Sequence, residues 1–504
     1  MAPLVDTTSG RVAGIETESG VRVFKGIPYG ASTAGANRFL PPRPAPSWTG
    51  VRETIEFASA CPPAPMPEML ELMPSDELAA AFDAYAEDCL SLNVWTPSLT
   101  GSRPVMVWFH GGAWSGGSGA DMDGSRLARR DDVVVVAVTH RLHFFGFLHL
   151  GDRFGEELSS SGHLGMLDLA AALAWVRDNV AAFGGDPQRV TVFGQSGGGA
   201  KVATALAMPC FDGLFHRAIV QSGHDLWRRM TPDVADRSTA ALLDELGIRD
   251  GDVEHLQRVS PAQLLAAYLT VSPRLRAPQA GERRGWAHYD LFAPVSGTEL
   301  LPTHPSDGLA DWQRGVDVIV GTEQFDHWNM TALAGSVIGY PDDVGRMTIE
   351  DVRRHLRPIL DDRTDEVVDV YRTSRPGMAP STLLALVVTD REWRIPAVSL
   401  VEARLDGVPD RPTYMYLNDG PVPVVSLNFD AELIPGYWIG VGRGLLEQIP
   451  PAWRNFAGGG DPQHDRLPRW DPYEQQRRTT MVFGNESKAV DDPYGNERAV
   501  WTRR

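Results

Sequence analysis

The stretch "TVFGQSGGGAKV", Thr191 to Val202, decides how the rest of the chain reads. A β-prone run ends in Gly194-Gln195-Ser196-Gly197-Gly198, and a helix-compatible "AKVATALAM" follows at once. The frame Gly194-x-Ser196-x-Gly198 suits a strained strand-to-helix turn that holds a serine hydroxyl clear of a sheet. A serine hydroxyl is a poor nucleophile at neutral pH. It needs a base and an orienting acid from elsewhere in the chain.

Outward from this turn, the chain alternates strand and helix signals. Strands are expected at "VRVFKGI" from Val21, "SLNVW" from Ser91, "PVMVWF" from Pro104 and "DVVVVAVTH" from Asp132. The near-continuous valine run of the last suits a central strand covered on both faces. In "LGMLDLAAALAWVRDNVAAF", Leu169, Leu173, Val176, Val180 and Phe183 fall on one helical stripe, with "GGDP" as its end. Further strands are expected at "RVTVFG", "RAIVQSG", "VDVIVGT" and "TYMYLND". This alternation predicts an α/β fold with a largely parallel sheet and helices on both faces. Residues 1–504 read as one domain, with mostly helical insertions at about 231–302 and 348–406 and a proline-rich loop, Ala60 to Pro74, placed to overhang a site.

The bulk numbers narrow the function classes. With 504 residues, 43% hydrophobic and 22% charged, the chain has ample material for a core. A net charge of -18 argues against a nucleic-acid or anionic-membrane partner. No segment approaches the roughly 18 apolar residues of a membrane span. "MAPLVDTTSGRVAG" lacks the charge and apolar pattern of a signal peptide, so a cytoplasmic location is expected. Cys61, Cys89 and Cys210 form no metal-ligand spacing, and three thiols cannot close a disulfide framework, so neither metal nor cofactor is expected. Lysine is confined to Lys25, Lys201 and Lys488, a composition consistent with a GC-rich bacterial genome.

The glycines of "FHGGAW", Phe109 to Trp114, directly follow the strand "PVMVW". A glycine-rich loop there can turn backbone N–H groups toward a reacting carbonyl, joined by the N–H after the nucleophile. Gly111, Gly112 and Gly197 are the expected oxyanion hole.

These pieces, with "GIPYG", "RFLPPRP", "EDCLSLNVW", "RLHFFGFL", "IVQSG" and "NFAGGGDP", resemble the type-B carboxylesterases nearly end to end. That family of α/β-hydrolases includes bacterial p-nitrobenzyl esterases and cholinesterases. The resemblance implies an α/β-hydrolase fold and a small-molecule substrate attacked by Ser196. It also matches Cys61 and Cys89 to the family's first disulfide pair, expected here as thiols. Gln195 and Gly197 stand where the family usually has Glu and Ala.

The family order is serine, acid, histidine. Aligning Gly321-Thr322 of "VGTEQFDHWNM" puts Asp326 at the acid position, with Glu323 a rival three residues earlier. The histidine should fall in "SLNFDAELIPGYW", where the aligned position holds Phe429, or Asp430 in a register shifted by one. No histidine lies between His355 and His464, and His464 belongs to a peripheral loop. His224, His327 and Asp430 are the candidate substitute bases, and His140 and His143 are further unusual histidines. Trp114, Trp227, Phe325, Trp328 and Phe429 are candidate pocket aromatics suited to a bulky apolar or aromatic substrate. Two functions follow. One is an esterase with an atypical triad. The other is a non-hydrolytic cyclase or lyase, as in natural-product biosynthesis, using the oxyanion hole without an acyl-enzyme.

Overall fold

The computed structural model describes residues 2–64, 85–223, 230–276, 291–308, 315–326, 346–419, 445 and 447–502. Their strands, in chain order, are β1 Leu4–Asp6, β2 Arg11–Ala13, β3 Ile15–Glu16, β4 Arg22–Pro28, β5 Val51–Glu53, β6 Ser91–Thr96 and β7 Arg103–Phe109. They continue with β8 Val134–Val138, β9 Gly185–Gln195, β10 Arg217–Gln221, β11 Asp317–Glu323, β12 Thr413–Asn418, β13 Thr479–Phe483 and β14 Lys488–Asp491. Strands β1, β2 and β5 make a small separate sheet. The other eleven form one sheet ordered β14-β13-β12-β11-β10-β9-β7-β8-β6-β4-β3.

From β8 to β13 every neighbouring pair is parallel. Antiparallel pairs close both ends, β13 with β14 on one side and β8, β6, β4 and β3 on the other. The expected α/β architecture is present, with its parallel centre where the valine runs are.

The strand period explains why those runs are continuous. Val134, Val136 and Val138 of β8 enter one apolar core, and Val135 and Ala137 enter the core on the opposite face. Val105 and Val107 of β7 divide from Met106 and Trp108 in the same way. Successive side chains point to opposite faces, so a strand covered twice must be apolar at every position. Helix Leu164–Asn179 covers the first face, and Trp453 and Phe456 of helix Ile449–Gly459 cover the second.

The single stripe expected on Leu164–Asn179 proves too narrow. Leu169, Leu173 and Val176 are buried as read, but so are Leu164, Met166, Ala172 and Trp175. The helix lies between the sheet and the short helix His143–Phe147, so more than one face is covered. Val180 and Phe183 belong to the following 3-10 turn, which Gly184 ends at φ 78°. The expected insertions are mostly helical where described, with Pro232–Leu246, Val253–Arg258 and Pro261–Arg276 in the first and six consecutive helical segments from Ile349 to Gly407 in the second. Most of the proline-rich loop lies outside the described residues. Among the described residues no helix is long and apolar enough to cross a membrane.

A buried ion pair fixes the long helix to the loop after β8. The Arg141 guanidinium donates to Asp168 at 2.7 and 2.8 Å and to the Leu40 carbonyl at 2.7 Å, and the Arg141 backbone N–H donates to Asp168 at 3.0 Å. Removing one partner strands the other charge out of water. Asp168→Asn should therefore cost about 3–5 kcal/mol of unfolding free energy in urea titrations. A loss under about 1 kcal/mol would mean that the pair is solvated like a surface bridge.

Candidate functional site

Ser196 sits between β9 and the helix Gly197–Ala207 with φ 57° and ψ -122°. A non-glycine residue with such angles is strained and persists only where its surroundings enforce it. Here the Ser196 N–H donates to the Gln221 carbonyl at 3.0 Å, and the Ser196 carbonyl accepts from Ala200 N–H at 3.0 Å. The flanking glycines are required by space. A Cβ on Gly194 would lie 2.5 Å from the Gly198 carbonyl carbon, and one on Gly198 would collide with the Phe109 carbonyl oxygen. Ser196 is half-buried, while Gly194 and Gly197–Ala207 around it are buried.

The glycine loop after β7 faces this turn. A Cβ on Gly111 would lie 3.9 Å from Ser196 Cβ, and one on Gly197 would strike the backbone of Ala113. Three consecutive carbonyls of the loop are held from the side away from their N–H groups. The His110 carbonyl accepts from Lys201 Nζ at 2.9 Å, and the Gly111 carbonyl from His110 Nδ1 at 2.8 Å. The Gly112 carbonyl accepts from Gly116 N–H at 2.8 Å and Ser115 N–H at 3.2 Å. In a trans peptide the N–H points opposite its carbonyl, so Gly111, Gly112 and Ala113 each present an oriented N–H. Among the described residues, none of these three nor Gly197 N–H has a hydrogen-bond partner. Gly111, Gly112 and Gly197 are the residues the sequence leads one to expect, and the Ala113 N–H stands beside theirs. Its φ of 53° is the backbone signature that no residue type announced.

Asp326 lies one turn beyond the end of β11 and is buried. Its carboxylate accepts from Glu323 N–H at 3.0 Å and from the Ser222 hydroxyl. Ser222 follows β10, and its own N–H donates to the Gly321 carbonyl at 2.8 Å. Serine, acid and acid-binding hydroxyl thus come from three adjacent parallel strands. Glu323 is also buried, and accepts from Asn418 Nδ2 at 2.7 Å at the end of β12. Burial pushes the Asp326 carboxyl up to about 7 against its two hydrogen bonds. Burial first, then the Asp326 charge, drives Glu323 well above the carboxylate range.

The other expected residues divide between the described and the undescribed. Trp114 is buried, edge-on to Phe147 at 5.3 Å between centroids, and Phe325 is half-buried against the core of the second helical insertion. His140 stacks on His110 at 4.6 Å, and burial keeps both well below the usual imidazole range. His143 donates from Nε2 to the Pro62 carbonyl, and burial drives it down to about 3. His464 meets the Gln448 carbonyl at 2.7 Å, away from the three strand ends. Cys61 and Cys89 are buried thiols, and a hydrogen bond between them raises Cys89. His224, Trp227, His327, Trp328, Phe429 and Asp430 lie outside the described residues. Among the described residues no cluster could hold a metal ion.

The chain matches the model of the "Carboxylesterase family" over residues 1–501. It is 34% identical to the para-nitrobenzyl esterase of Bacillus subtilis, over 98% of this chain and 97% of that protein. It is 31% identical to the liver carboxylesterase of Sus scrofa, over 99% and 92% of the two chains. The crystal structure of a Geobacillus stearothermophilus carboxylesterase superposes with a TM-score of 0.80 at 33% identity, covering 99% of this chain and 100% of that one. The α/β-hydrolase fold expected from the sequence is the fold of these neighbours.

The carboxyl pair makes stability depend on pH with a definite sign. Asp326 and Glu323 hold protons more tightly folded than unfolded, so folding takes up protons between the ordinary carboxylate range and about 7. Stability from this source is full at the acid end of the window and is lost as pH rises through it. Asp326→Asn, which keeps a side chain able to meet Ser222, should flatten that slope in urea midpoints taken across the window. An unchanged slope would show that Asp326 is ionised throughout.

Proposed function

The chain belongs to the carboxylesterase family, and from that membership we propose that it cleaves carboxylic esters through Ser196. The supporting observation is the meeting of a strained, half-buried Ser196 with the oriented N–H groups of Gly111, Gly112, Ala113 and Gly197. In the proposed reaction Ser196 Oγ bonds to the ester carbonyl carbon while its proton passes to a base. The carbonyl oxygen takes the electron pair and the negative charge, which the N–H groups stabilise. Collapse of this intermediate expels the alcohol, which receives the proton, and water then releases the acid from the acyl-enzyme. Asp326 is the acid, held by Ser222 and the end of β11.

The base is the departure from the family order. Residues 356–463 contain no histidine, and Phe429 or Asp430 stands where one is expected. The proton acceptor is accordingly assigned to the neighbourhood of the β10 and β11 ends, where the sequence supplies His224 and His327, or to Asp430 itself. Phe325 beside Asp326, and Trp227, Trp328 and Phe429 in the flanking sequence, favour an apolar or aromatic acyl or alcohol group. A second reading, cyclase or lyase chemistry at the same oxyanion hole, draws its support from the same missing histidine.

Labelling with a fluorophosphonate separates these readings. Ser196→Ala should abolish labelling of the wild-type protein, and the wild type should label slowly, since losing a triad histidine costs on the order of 10⁶ in turnover. Of His224→Ala, His327→Ala and Asp430→Asn, only the variant lacking the true base should slow it further. Phe429→His should raise p-nitrophenyl ester turnover by orders of magnitude by restoring the serine–imidazole–acid order. A wild type that never labels, with no gain in Phe429→His, would overturn the esterase reading in favour of the second.

A further inference from the structure

Lys201 is the residue at this site that the esterase reading leaves unused. It lies in the helix that begins at Gly197, is 0% exposed, and donates from Nζ to the His110 carbonyl at 2.9 Å. Its Nζ also stands 5.9 Å from the centre of the Trp114 ring. Keeping an ammonium out of water costs several kcal/mol unless its interactions offset the loss. A neutral amide could hold a carbonyl at far lower cost, so the charge itself calls for an explanation.

The explanation lies in which carbonyl it meets. The carbonyl of His110 and the N–H of Gly111 belong to one peptide unit. A cation donating to the oxygen draws electron density through that unit and makes the N–H at its other end a stronger donor. Gly111 is the loop residue whose absent Cβ faces Ser196. His110 and His140 are held neutral by burial and by the Lys201 charge itself. Burial raises the Asp121 carboxyl, the Lys201 charge lowers it, and it is also engaged by the Ser118 N–H at 2.7 Å.

We propose that Lys201 is a positioning residue of the oxyanion site, fixing and polarising the His110–Gly111 peptide so that Gly111 N–H binds developing negative charge more strongly. This rests on the esterase reading of Ser196. It predicts a loss confined to states that carry the oxyanion, which a merely structural lysine would not produce.

The test compares the wild type, Lys201→Met and Lys201→Gln with an aryl trifluoromethyl ketone and the matching methyl ketone. The first forms an oxyanion on adding to serine, and the second reports ground-state binding. Lys201→Met should weaken the trifluoromethyl ketone about tenfold and lower kcat for p-nitrophenyl acetate by the same factor, with KM and methyl ketone binding within about twofold. This is less than the roughly 10²–10³ of deleting an oxyanion donor outright. Equal weakening of both ketones, or none, would overturn the proposal. Should Lys201→Met fail to fold, Lys201→Gln keeps a donor and removes only the charge, and the same split in affinities decides. If the wild type binds the trifluoromethyl ketone no better than Ser196→Ala does, the esterase reading has failed and not the role of Lys201.

Discussion

The backbone of Ser196 is the constraint on which the site depends. Its φ of 57° and ψ of -122° are uphill for any residue with a side chain, and several independent features hold them. The parallel register of β9 with β10 puts the Gln221 carbonyl under the Ser196 N–H. Gly194 and Gly198 allow the strand end, the first helical turn and Phe109 to approach more closely than any Cβ permits. The two apolar cores on either face of the sheet keep those strands from relaxing. Strain at one residue is thereby distributed over the packing of the whole sheet.

From that fixed point the chemistry is arranged by strand order. β7 ends in the glycine loop, β9 in Ser196, β10 in Ser222 and β11 in Glu323, with Asp326 just beyond. β7, β9, β10 and β11 are consecutive neighbours and mutually parallel, so their carboxyl-terminal ends open on one edge of the sheet. Ligands of open α/β sheets bind at that edge. The loop turns its carbonyls onto Lys201, His110 and its own N–H groups, which leaves the Gly111, Gly112 and Ala113 amides pointing the other way, as the proposed oxyanion site requires. Preorganised dipoles of this kind act without reorganising during the reaction.

Much of this was legible in the sequence, for physical reasons. Central strands such as Val134–Val138 must be apolar at every position, and glycine at 194 and 198 is the price of close backbone approach. β13 and β14 were missed because "TTMVF" is short and "KAVD" is an edge strand with exposed or half-buried residues. Ala113 was not among the expected residues because its place beside Ser196 depends on a backbone angle. Lys201 read only as one of three lysines, since a lysine on a helix is ordinarily solvated and only the tertiary contact to His110 reveals otherwise. Glu323 read as a rival acid, and the fold places it in a buried pair with Asp326 across one turn of chain, a coupling that spacing alone does not reveal.

The central claim is that Ser196 faces a hole built from the amides of Gly111, Gly112, Ala113 and Gly197. A crystal structure of the protein treated with an aryl trifluoromethyl ketone tests it most directly. The account predicts a covalent bond from Ser196 Oγ to the ketone carbon, with the oxygen about 2.7–3.1 Å from at least two of those nitrogens. An adduct whose oxygen points into solvent or toward the Glu323–Asp326 pair would contradict it.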